Sequence, residues 1–167
     1  CTMIYRKKVV KEKNLVEKLK DDILYYTSIG SYFKALKREY SLTRLSGNEK
    51  GLEVLVNVLN SDLGILYTAV NDIEALIVVL KETRTIPVAH VKETLEHVRS
   101  QLGDVYSVKP FLKKEMYILQ QLLQIEKNPT AKQVPQLESL QIDLEHLLNT
   151  ETKKRLSTIN NKLKIIT

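Results

Sequence analysis

Five stretches of helical periodicity, separated by a handful of breakers, constrain this chain more than any motif does. Gly47-Asn48 divides the first long stretch from the second, Pro87 opens the third, and Pro110 interrupts the helical run beyond it. Asn128-Pro129 closes the fourth stretch, and Pro135 stands at the opening of the fifth. The first two stretches run past thirty residues each. At 1.5 Å per residue, such helices span roughly 50 Å. Helices of that length lie side by side as a hairpin or bundle, or extend into an assembly.

The spacing predicts a first helix over about 14–45, with Leu15, Leu19, Ile23, Tyr26, Phe33, Leu36 and Tyr40 forming one stripe. Gly30 falls inside it, costing about 1 kcal/mol against alanine, which suggests a weak point or a close helix contact. Gly47 suits a left-handed cap and Asn48 the start of the next helix. That helix, over about 49–84, is the most apolar, with a seam from Leu52 through Leu55, Leu59, Leu63 and Leu66 to Leu80. Apolar residues on its other faces imply more than one neighbour. Further helices are expected at about 87–108, 111–128 and 136–165, with Pro110 either kinking one helix or starting another. An interruption is expected near Asn149-Thr150. The fold class is therefore all-α: a long antiparallel hairpin packed with further helices as a four- to five-helix bundle. The division along the chain is a basic leader (1–13), a helical core (14–128), a linker (129–135) and a C-terminal helix (136–167).

Charge is unevenly distributed. The net +6 of the whole chain equals the excess in residues 1–45, which carry 11 Lys and Arg against 5 acids. Arg6, Lys7, Lys8, Lys11 and Lys13 are the densest group, with Lys18 and Lys20 continuing it. A local cationic surface attracts phosphate-rich partners, either anionic lipid or nucleic acid. One cysteine permits no internal disulfide, which fits a reducing compartment and a cytoplasmic location. The most apolar run, Ala75 to Leu80, is far shorter than the roughly 20 residues of a membrane span, so a soluble chain is expected.

No catalytic constellation is present in the sequence. His90 and His97, with Glu93 between them, could share a helix face and hold a divalent ion in principle, but no second ligand pair accompanies them and His146 stands apart. Neither metal nor cofactor is expected. The segment Ser46-Gly47-Asn48-Glu49-Lys50-Gly51 lacks phosphate-loop spacing, and Cys1 has no identifiable base. Tyr25, Tyr26, Tyr32 and Tyr40 follow helix spacing and read as core and boundary residues rather than base-stacking platforms. The expectation is a protein without enzymatic activity.

The second helix and the two after it carry a family likeness. Ile65-Leu66-Tyr67-Thr68-Ala69, Ile73-Glu74 and Val79-Leu80-Lys81-Glu82-Thr83 resemble the second core helix of archaeal ESCRT-III proteins, the Cdv-type division proteins. His97-Val98-Arg99-Ser100-Gln101-Leu102 and Val108-Lys109-Pro110-Phe111-Leu112, with Glu115-Met116 and Ile118, are similar to that family's third-to-fourth helix region. The likeness spans roughly residues 14–128. It implies a filament subunit that assembles on anionic membrane and remodels it, through Arg6, Lys7, Lys8, Lys11, Lys13, Lys18 and Lys20. The implied partners are further copies of the chain or related subunits, the membrane surface and, third, a AAA ATPase. The family's ATPase-adaptor motif is only partly present: Arg155, Leu156 and Ile159 fit, whereas Thr152 replaces a leucine and Asn149 an acid. Residues 129–167 are slightly basic where the family turns acidic. A helical adaptor binding another protein is the alternative, and a nucleic-acid-binding bundle the second alternative.

Overall fold

A computed structural model of the chain describes residues 2–108 and 113–166, with side chains for 14–105 and 117–164. It is 89% helical, with no strand among the described residues, so the fold is all-α. The helices are α1 (Thr2–Ser28), α2 (Tyr32–Ser46), α3 (Glu49–Leu59), α4 (Asp62–Glu82), α5 (Val88–Val108), α6 (Lys113–Lys127) and α7 (Val134–Ile166). A short 3-10 turn, Ala131–Gln133, precedes α7 within the segment expected to be a linker. The chain divides into two compact units. The first comprises Cys1–Asn60 and Asn149–Thr167, the second Ser61–Leu148.

Both long helices expected from the sequence are broken. The first ends at Gly30, whose φ of +79° is left-handed. The Ser31 amide donates to Tyr26 O at 2.8 Å and the Gly30 amide to Thr27 O at 3.2 Å, the paired bonds of a Schellman ending. Gly30 is therefore a stop, neither a weak point nor a close helix contact, since a Cβ there would meet nothing within 4 Å. The second breaks at Asn60-Ser61: the Ser61 side chain accepts the Leu63 amide at 3.3 Å, and Asp62 lies in the first turn of α4. The turn between α2 and α3 has the caps its sequence predicts. Gly47 is left-handed at φ +74°, and Asn48 Oδ1 accepts the Gly51 amide at 3.0 Å.

The interruption expected near Asn149-Thr150 does not occur, and α7 is continuous there. Asn149 does not turn back on its own backbone. Its Oδ1 accepts the Phe33 amide at 3.2 Å, capping α2, whose own N-cap residue Ser31 makes no side-chain capping bond. The question of Pro110 lies outside the described residues.

In the first unit, α1 packs on α2 and α2 on α3. Leu36, Leu55 and Ile159 form a buried cluster, with Tyr40, Val54, Val58, Leu59 and Leu163 half-buried around it. Leu19 and Phe33 are also buried. In the second unit, α4 contributes Leu63, Leu66, Ala69, Val70, Ile73, Leu76, Ile77 and Leu80 to the core, as its apolar seam requires. They are joined there by Val91, Leu95, Val98 and Leu102 of α5, Ile118, Leu122 and Ile125 of α6, and Leu137, Leu140 and Leu144 of α7. Truncating one of the buried leucines or isoleucines to alanine costs about 2–5 kcal/mol. By length and composition α4 is apolar enough to cross a membrane, beyond what the run Ala75–Leu80 alone suggests. A core helix meets the same description, and the eight buried side chains place α4 in the core of its unit.

Side-chain links tie helices of the second unit, among them Gln136 Nε2 of α7 donating to Gln121 Oε1 of α6. Arg99 Nε donates to Glu126 Oε2 at 2.9 Å, joining α5 to α6. Lys81 meets Glu138 Oε1 at 2.9 Å, joining α4 to α7.

Candidate membrane-facing surface

The division into units also divides the charge. The first unit carries 17 Lys and Arg against 8 Asp and Glu, and the second 9 against 12. A chain of net +6 thus places +9 on one compact unit and −3 on the other. The cations of the first unit come largely from two remote segments. Seven lie on α1, and a second group, Lys153, Lys154, Arg155, Lys162 and Lys164, occupies the last half of α7, where Glu151 is the one acid among residues 149–167.

Arg6, Lys7, Lys8, Lys11 and Lys13 belong to the helical backbone of α1, so the basic leader extends the helix. Their side chains fall outside the described residues. Lys18 and Lys20 are exposed, as a surface role requires. Between them Leu19 is buried, which fixes the side of α1 that faces the unit's interior. Val16, Ile23 and Tyr26 are half-buried. Leu15, expected in the same stripe, is instead 45% exposed.

The last turn of α1 departs from the sequence reading. Leu24 is 70% exposed, Tyr25 58% and Ile29 56%. Tyr25, a core or boundary residue by its spacing, stands in solvent beside Tyr26, with ring centroids 5.5 Å apart. Tyr26 is the ring that packs, under Arg38 at 5.7 Å and Lys34 at 5.9 Å. Arg38 also pairs with Asp22 at 3.4 Å, fastening α2 to α1. The one sequence signal for this exposed group is that Leu24 and Tyr25 lie out of phase with the stripe Leu19, Ile23, Tyr26.

The residues of the partial ATPase-adaptor motif are not presented together. Ile159 is 3% exposed in the cluster with Leu36 and Leu55, while Arg155 and Leu156 are half-buried, Arg155 lying 3.9 Å from Glu151. Thr152, at the position where the motif wants leucine, is fully buried. A partner reading Ile159 would first have to release α7 from α2 and α3.

In the second unit, His90, Glu93, Glu96 and His97 of α5 line an open groove of about 740 Å³ with Thr68 and Asp72 of α4. Among the described residues, no group of three or more His, Cys, Asp or Glu side chains is placed to hold a metal ion. His146 is exposed on α7 and lies outside this groove.

Comparison of the chain with protein-family models, curated proteins and solved structures finds no match. The likeness to archaeal ESCRT-III proteins over roughly residues 14–128 therefore rests on the sequence alone.

Proposed function

We propose that this chain is a non-enzymatic, ESCRT-III-like subunit that binds anionic membrane through its basic first unit and assembles there with further copies into a membrane-remodelling filament. The observation that carries the membrane half of this reading is the segregation of charge, +9 on one compact unit of a chain whose total is +6. Near an anionic surface each cation contributes about 1 kcal/mol, falling off within a Debye length. Several cations on one unit therefore suffice for peripheral attachment, and polymerisation multiplies it, because bound neighbours share the cost of immobilisation. The antiparallel hairpin enters this reading at the Gly47-Asn48 turn between α2 and α3, within the basic unit. For lateral assembly, the second unit offers exposed apolar side chains, Val78, Tyr117, Leu123 and Ile142. Residue Ile159 becomes readable to an ATPase only when α7 opens, which makes that partner conditional on a conformational change.

The test is electron microscopy and co-sedimentation of the purified protein with vesicles containing phosphatidylserine, and with duplex DNA. Coats, filaments or tubulated vesicles support the reading. Bare vesicles with monodisperse protein reject it and favour a helical adaptor, and sedimentation with DNA alone would favour the nucleic-acid alternative. Reversing Lys7, Lys8, Lys11 and Lys13 to Glu is expected to abolish vesicle binding without unfolding the protein.

A further inference from the structure

We infer that the turn joining α1 to α2 is a shallow membrane-insertion tip, with Leu24, Tyr25 and Ile29 entering the interfacial layer of an anionic bilayer. The inference rests on the membrane reading above and names the residues that would leave water. Three large apolar side chains within six positions stand 70%, 58% and 56% exposed, an arrangement that costs solubility and is retained at surfaces that meet an apolar phase.

The backbone at the tip suits that phase. Ile29, Gly30 and Ser31 donate their amides to Tyr25 O, Thr27 O and Tyr26 O at 3.2, 3.2 and 2.8 Å. Two hydroxyls of the last turn of α1 are also paired internally, Thr27 Oγ1 donating to Ile23 O at 2.7 Å and Ser28 Oγ to Tyr25 O at 2.6 Å, while the Ser31 hydroxyl makes no capping bond and is half-buried. Polar groups already bonded within the chain lose little when water is withdrawn, whereas an open turn would be penalised for each bare amide. Tyr25 combines an apolar ring with a hydroxyl that can remain among headgroups.

Charge complementarity selects lipid as the occupant. Exposed Lys20 precedes the tip and exposed Lys34 lies beyond it, within a unit of net +9. Lys153 joins them from α7, its Nζ 5.6 Å from the ring of Tyr32 at the start of α2. Of the two acids in the last three turns of α1, Asp22 is held by Arg38 at 3.4 Å, leaving Asp21 exposed. A stable protein interface needs roughly 800 Å² per partner, more than three side chains provide. Insertion into a bilayer surface has no such minimum, because the cations supply the rest of the attachment.

The chain contains no tryptophan, so Leu24→Trp places a single reporter at the tip. With vesicles containing phosphatidylserine, its emission is expected to shift to the blue and to be quenched by brominated acyl chains; phosphatidylcholine vesicles should give neither effect. Co-sedimentation without shift or quenching would overturn the insertion and leave the basic surface standing. Failure to sediment would overturn both. A blue shift that grows with protein concentration in the absence of lipid would assign the tip to a second copy and reject the proposal. The triple substitution Leu24→Ser, Tyr25→Ser, Ile29→Ser should keep the thermal midpoint while weakening vesicle binding at least tenfold; unchanged binding would also overturn it.

Discussion

Asn149 joins two segments separated by 116 positions in the chain, because its Oδ1 caps α2 at the Phe33 amide. An N-cap contributes about 0.5–2 kcal/mol, so Asn149→Ala should lower stability by about 1 kcal/mol. Asn149→Asp keeps the acceptor and adds a negative charge at a helix N-terminus, so it should restore or exceed the parent stability. Chemical denaturation of the three proteins checks this; equal midpoints for Asn149→Ala and the parent would show that the cap carries no energy. Gly30 makes a different kind of contribution. A Cβ there would meet nothing within 4 Å, yet its φ is +79°. Gly30→Ala should therefore cost about 1 kcal/mol through backbone conformation alone, read as a lower thermal midpoint with unchanged near-ultraviolet spectra. Neither role is legible at its own position. Asn149 reads in sequence as a residue that interrupts a helix, and its partner is 116 residues away. Gly30 reads as a costly helix residue because the apolar spacing of Phe33, Leu36 and Tyr40 continues beyond it.

At the scale of elements, the ion pair between α5 and α6 is the clearest case for a weighed expectation. The hydrogen bond from Arg99 to Glu126 raises the arginine pKa above its ordinary value, against a smaller opposing effect of burial. A raised folded-state pKa gives stability that is present below the unfolded value and lost only as pH rises through the folded one. For arginine that window lies beyond the range proteins tolerate, so Arg99 should confer no pH dependence between roughly pH 5 and 9. Both side chains retain some solvent contact, so Glu126→Gln should cost no more than about 1 kcal/mol, and less at high salt. Urea melts at low and high ionic strength test this, and a larger loss would mean the pair aligns α6 as well as attracting it. The helical class and the buried seam of α4 are both legible, since three-and-four spacing reports directly on helical burial. The break between α3 and α4 is hidden by the same spacing. Leu55, Leu59, Leu63 and Leu66 keep phase across Asn60-Ser61, so only the local cap chemistry of Ser61-Asp62 marks it.

For the whole molecule, the consequence of the charge division is that cations of equal exposure should not have equal effect. Lys18 and Lys20 stand exposed on the unit of net +9, whereas Lys92 and Lys127 stand exposed on the unit of net −3. At about 1 kcal/mol per cation near an anionic surface, Lys18→Ala with Lys20→Ala should weaken vesicle binding about 30-fold, with a steeper loss at lower salt. Lys92→Ala with Lys127→Ala removes the same charge from the chain but from the unit of net −3, and should leave binding within about twofold. The candidate site is legible to this extent: cations dense in sequence lie on a helix, and Lys18 and Lys20 are exposed. Of the tip residues, Leu24 and Tyr25 show in sequence only by lying out of phase with the stripe and Ile29 not at all, because composition cannot distinguish an apolar residue that packs from one that projects at a turn. Vesicle co-sedimentation of both double variants, at two salt concentrations, separates a placed surface from bulk charge. Equal weakening by the two pairs would mean that net charge alone drives attachment and that the division into units has no bearing on it.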